Sequence, residues 1–213
     1  MENSKNISIY KENEHKANKL ATNVIIIALI LLIVVWIANI VGIFVVPHFC
    51  MNLGCATGVI VLSIPIILVK VFKRDDSWLK YVFIGSIILM VTIIGALLNY
   101  HILVSYSAPI LLSCMFFDKK LCNRTIWATL VALTIAQIIS YNFKDAFFIR
   151  IDNIQHMILY FIIPRNLQVF ALGKMMVMIC GRITEILNNL MGAEEQNEIL
   201  KKNEQIKNKS LEV

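Results

Sequence analysis

The stretch from Val24 to Val46 carries no charge, and Asn39 is its one amide side chain. About 18 or more such residues suffice to cross the hydrocarbon core of a bilayer as a helix. Inside that core only helices and closed barrels satisfy their own backbone hydrogen bonds. Further apolar stretches follow along the chain. The composition agrees, with 58% hydrophobic residues, 16% charged and a mean hydropathy of +0.73. A soluble domain runs near 45–50% apolar and about 25% charged. These values exclude an ordinary cytosolic enzyme, a disordered regulator and a small disulfide-stapled domain. The five cysteines are odd in number and lack a repeated ligand spacing, so neither a disulfide framework nor a metal site is expected. The expected fold class is all-α: an integral membrane bundle.

Hydropathy places six spans, at about 22–46, 53–69, 81–98, 102–117, 125–141 and 157–181. Pro109 lies in the fourth, and Pro164, Arg165 and Lys174 lie in the sixth. The first apolar run is too long for a signal peptide, so no cleavage is expected. Spans two to five are short: about 17 residues at 1.5 Å each cover roughly 26 Å. The connections after spans one and three are only a few residues long. Those pairs read as antiparallel hairpins, and three hairpins make a six-helix bundle.

Orientation follows from Lys and Arg, which stay on the cytoplasmic side of span ends. The inner segments hold Lys5, Lys11, Lys16 and Lys19, then Lys70, Lys73, Arg74 and Lys80, then Lys119, Lys120 and Arg124, then Arg182 and the tail lysines. The outer segments hold Lys144 and Arg150. Both termini are therefore expected in the cytoplasm of a bacterial cell with the chain in its plasma membrane. The +6 net charge reads as a topology signal, so no nucleic-acid partner is assigned. Residues 1–21 form a cytoplasmic segment, 22–181 the six-span domain and 182–213 a cytoplasmic helix.

That last segment is rich in Glu, Lys, Gln, Leu and Ile, which are helix-compatible residues. A heptad frame puts Ile183, Leu190 and Asn197 at a positions and Ile186 and Leu200 at d positions. The stripe shifts further on, as at a stutter. A polar helix this long needs a partner surface, and Asn at an a position sets register and strand number. A coiled-coil-like signalling helix in a homodimer is the expectation. The bland alternative is a solvated tail. The tail reaches Val213 without a capping signal, as a helix feeding a further domain would.

Arg165 is the sharpest chemical feature. It falls roughly 12 Å below the outer surface, where a charge marks a functional site by default. No span holds an Asp or Glu to neutralise it. The candidate ligand-binding set is Arg165, Asn166, Gln168, Asn39, Gln137 and His101, with Pro164 as a hinge. The competing reading is an arginine that caps carbonyls at the kink and snorkels outward. Lys174 reads as structural. His48, His101 and His156, with Cys50 and Cys55, fall near the outer ends of spans; no metal site is assigned to them. Cys114, Cys122 and Cys180 read as buried or inner-face residues without chemistry. Phosphate loops, paired catalytic carboxylates and Ser/His/Asp sets are absent, so no enzyme activity and no cofactor are expected.

Two segments carry a resemblance. Asn99-Tyr100-His101-Ile102-Leu103, then Ser107 to Leu112 and Phe117-Asp118-Lys119-Lys120, resemble the third-to-fourth-span hairpin of six-span input regions of Firmicute signalling proteins. Pro164-Arg165-Asn166-Leu167-Gln168 and Arg182 to Leu187 resemble their sixth span and exit helix. In that family the membrane region precedes a chemoreceptor, diguanylate cyclase or histidine kinase output. The resemblance implies a sensory input module whose partner is an output domain or protein. The sequence shows no such domain, so no catalytic residues carry over. The alternative from another class is a transport component similar to the substrate-binding subunit of energy-coupling-factor importers, which also have six spans.

Overall fold

In a computed structural model, residues 2–43, 47–98, 103–141 and 153–211 are described, and their regular structure is entirely helical. The long elements are α1 (Glu2–Ile40), α2 (His48–Lys70), α3 (Leu79–Leu98) and α5 (Lys119–Tyr141). A 3-10 turn (Leu103–Ser107) leads into the short α4 (Ala108–Cys114). The one-turn α6 (Ile154–Met157) passes through a π turn (Ile158–Ile162) into α7 (Ile163–Leu211). Residues 14–40 of α1, together with α2, α3 and α5, are long and apolar enough to cross a membrane, as a multi-pass membrane protein requires.

The helices pack in series. α1 lies on α2, α2 on α3, α3 on α5 and α5 on α7, and α4 sits among α3, α5 and α7. α3 is central: 56% of its apolar stretch is buried, against 17% for α1. Along α1, Ala17, Ala21 and Ile25 turn inward, at the four-residue spacing of a helix face. Ile27, Ile30, Leu31, Val34 and Ile37 are exposed. An apolar belt of that extent is larger than a water-facing surface normally carries and is compatible with a lipid-facing one.

Helix ends have local causes. α1 closes at Gly42, whose φ of +85° is the left-handed position that glycine adopts without strain. The Ile43 N–H reaches back to the Ala38 carbonyl and that of Gly42 to the Asn39 carbonyl. Before α5, the Asp118 carboxylate accepts the N–H groups of Lys120 and Leu121 at 2.9 and 3.0 Å, an N-cap. The helix therefore begins among charged residues, ahead of the apolar run at 125.

The 102–117 span expected from hydropathy is a 3-10 turn joined to a seven-residue α4. Pro109 occupies the first turn of α4, where its missing N–H costs nothing. α1 runs without a break through residues 21 and 22, so the polar segment and the first apolar run share one helix.

Candidate functional site

Around Pro164 the backbone departs from α geometry. The Ile163 N–H bonds the Ile158 carbonyl, an i to i+5 link that defines the π turn. Proline has no N–H to offer its own fourth-back carbonyl, and a π turn just before it reroutes the ladder. Asn166 stabilises the same turn: its Nδ2 donates to the Ile162 carbonyl at 2.9 Å. That Nδ2 also lies 3.2 Å from Thr134 Oγ1 on α5.

Arg165 is half-buried beside this turn. Its guanidinium carbon stands 5.4 Å from the centroid of the Phe161 ring, within cation–π range. It also acts electrostatically on Tyr106, in the 3-10 turn. The Tyr106 hydroxyl is buried without a hydrogen-bond partner in the described chain. One turn beyond Thr134 on α5, Gln137 is buried with neither amide atom bonded. A buried polar group left unpaired costs about 1–3 kcal/mol. Tyr106 and Gln137 are thus groups that a bound water or ligand would satisfy.

The other expected site residues are distributed differently. Asn39 is buried with both amide atoms unbonded, but its helix packs on α2 and α3, whereas α7 packs on α5 and α4. Gln168 is exposed. His101 lies outside the described residues. Pro164 adjoins the π turn. Nearer the tail, Lys174 Nζ donates to Asn123 Oδ1 at 3.1 Å and lies 5.3 Å from the Phe170 ring.

α7 continues from Ile163 to Leu211 as one helix. Ile183, Ile186, Leu190 and Leu200 are 40–63% exposed along it, and Asn197 lies on the same helix. Thr184 Oγ1 bonds the Cys180 carbonyl at 2.8 Å and the Phe117 carbonyl at 3.2 Å. That contact pins the exit of α7 to the turn between α4 and α5.

Three cysteines separated in sequence meet here. Cys114 and Cys122 have their sulfurs 3.4 Å apart, and the Cys114 thiol also donates to the Met176 carbonyl at 3.8 Å, one turn before Cys180 on α7. They are apolar-packed thiols, a setting that keeps sulfur unreactive. Cys50 and Cys55 are buried and unpaired. Among the described residues no group of three His, Cys, Asp or Glu side chains is placed to hold a metal.

A second polar cluster, at the opposite end of the bundle, escaped the sequence reading. His15 pairs with Asp75, and Asn18 Nδ2 donates to the same carboxylate at 2.9 Å. Ser77 Oγ and Lys80 Nζ bond the two oxygens of Glu14 at 2.8 and 3.1 Å. The Asn18 hydrogen bond, aided by His15, holds the Asp75 carboxyl below its usual range, against partial desolvation. In the sequence these residues look like ordinary flanking charges. The one available signal was a carboxylate set inside each basic run, Glu14 and Asp75.

No family model, curated protein or solved structure matches the chain.

Proposed function

We propose that this chain is a membrane input module that relays an outer-face or intramembrane stimulus to a cytoplasmic helix. In this reading six segments cross the bacterial cell membrane with both termini inside, and α7 pairs with its twin in a homodimer. An output domain or separate signalling protein, chemoreceptor-like in kind, receives the movement. The observation that carries the reading is the single helix joining the Pro164–Arg165 turn to the polar tail. A ligand that pairs with Arg165 and satisfies Tyr106 or Gln137 would shift the π turn, and a rigid helix transmits that shift. Exposed Ile183, Ile186, Leu190 and Leu200 supply the apolar stripe that pairing needs.

Cysteine cross-linking tests the relay. Leu190→Cys in native membranes is expected to yield disulfide-linked dimers. Adding Arg165→Ala is expected to change the cross-linking rate while insertion stays intact. Tails that remain monomeric under all conditions would overturn the proposal. Substrate accumulation in vesicles would instead favour the transport reading, in which Tyr106 and Gln137 are polar groups a substrate could bond.

A further inference from the structure

Between the start of the apolar part of α1 and the end of α2 lies a cavity of about 290 Å3. Lys19, Lys70, Lys73 and Arg74 surround it. Arg74 is shared with Asp76 at 3.7 Å. No carboxylate among the described residues lies within ion-pair distance of the three lysines. The acidic group on the wall, Asp75, is already matched by His15 and Asn18. The cavity is a half-open cleft with a mainly apolar wall, and the exposed basic side chains give it a cationic rim. Lys73 reaches its place through a left-handed backbone, φ 51°, a conformation favoured for glycine.

Asn18 adds a second and independent demand. It lines the cavity and is 3% exposed. Its Nδ2 is committed to Asp75, since a carboxylate accepts only from the NH2 end of the amide. That fixes the amide orientation and leaves Oδ1 buried without a donor. A ligand carrying both an anion and a hydroxyl or similar donor would answer the lysines and Asn18 together.

We infer that this cavity binds a phosphate ester carrying a free hydroxyl, of the phosphoglycerol type. Its level supports that chemistry: Val69 and Thr22 on its wall are where the apolar stretches give way to charge, the depth at which lipid phosphates lie. Clustered lysines beside a span are the general means of holding anionic headgroups. Exposed Val24 and Ile27 continue along α1 from the cavity, where acyl chains would run. The shared chemistry has two sources, an anionic lipid headgroup or a soluble glycerol phosphate. The inference holds whether the chain relays a signal or carries a substrate.

The test uses the full chain in nanodiscs of phosphatidylcholine. Phosphatidylglycerol is titrated in, and retained lipid is counted by native mass spectrometry. Wild type is expected to retain phosphatidylglycerol over phosphatidylcholine. The triple variant Lys19→Gln, Lys70→Gln, Lys73→Gln is expected to lose at least about tenfold in retention. The variant Lys119→Gln, Lys120→Gln removes charge from the turn before α5 and is expected to leave it unchanged. Glycerol 3-phosphate is then added: displacement of the lipid assigns the site to a soluble phosphate, and unaffected retention assigns it to the headgroup. Equal loss in both variants, or no preference in wild type, would overturn the inference.

Discussion

Asp75 takes its two partners, His15 and Asn18, from a helix 57 to 60 residues upstream. Both interactions favour the ionised carboxylate, so its folded pKa lies below the unfolded value near 3.9. A depressed carboxylate contributes stability that is complete above the unfolded pKa and disappears as pH falls through the folded one. Asp75 is 44% exposed, so the tie is worth at most about 1 kcal/mol. Hydrogen exchange across the segment from Val71 to Trp78, taken relative to the intrinsic amide rate at each pH, should therefore rise as pH drops below about 4. Asp75→Ala should raise it at neutral pH and flatten that response. Gln137 presents the opposite situation, a buried amide with nothing bonded to it. Replacing such a group by an apolar one of similar size removes its desolvation cost. Gln137→Leu should then stabilise the ligand-free protein by about 1–2 kcal/mol in detergent unfolding. A destabilised variant would show that Gln137 has a partner even without ligand.

At the scale of elements, the approach of α7 to α5 depends on Gly173. A Cβ there would stand 2.7 Å from Cγ1 and 2.9 Å from Cδ1 of Ile126, which is itself fully buried. The clash falls partly on γ atoms close to the branch, which have little room to move. Gly173→Ala should destabilise by about 1–3 kcal/mol through overpacking. Gly85 on α3 faces open space, so Gly85→Ala should be neutral or stabilise by up to about 1 kcal/mol. Thermal unfolding of the two variants reads the contrast directly. Helix existence was legible in the apolar runs of α2, α3 and α5 because polarity alone decides which segments enter lipid. Helix starts were less legible. α5 begins at Lys119 because Asp118 caps it, a backbone event that hydropathy does not register. The π turn at 158–162 was invisible for the same reason: Pro164 announces a missing donor but not how the ladder is rerouted.

For the whole molecule, the ends of the helices sort into two layers. Glu14 meets Ser77 and Lys80 where the apolar part of α1 and the start of α3 lie together, while Trp36 Nε1 bonds Asn52 Oδ1 at 2.8 Å near the other end of that apolar part. Thr184 meets Phe117 where α4 and α7 emerge together. Single cysteines replacing Phe49, Ser77, Lys120 and Leu190 convert this layering into a topology test with a membrane-impermeant maleimide. On whole cells Phe49→Cys should label, while the other three should label only after lysis. Labelling of Leu190→Cys from outside would reverse the tail and remove the relay. The sequence by itself determined that the chain is helical and apolar enough to cross a membrane, since long uncharged runs have one way to satisfy their backbone in hydrocarbon. Its bias of Lys and Arg also set the expected orientation. Only the tertiary structure decided which polar groups meet. It separated Asn39 from the Arg165 neighbourhood, brought Tyr106 into the field of Arg165, gathered Cys114, Cys122 and Cys180, and folded Asn18 and Asp75 against a basic cavity. Those pairings join residues far apart in the chain, and the helix rotations that bring them together come from side-chain packing, which composition and periodicity do not encode.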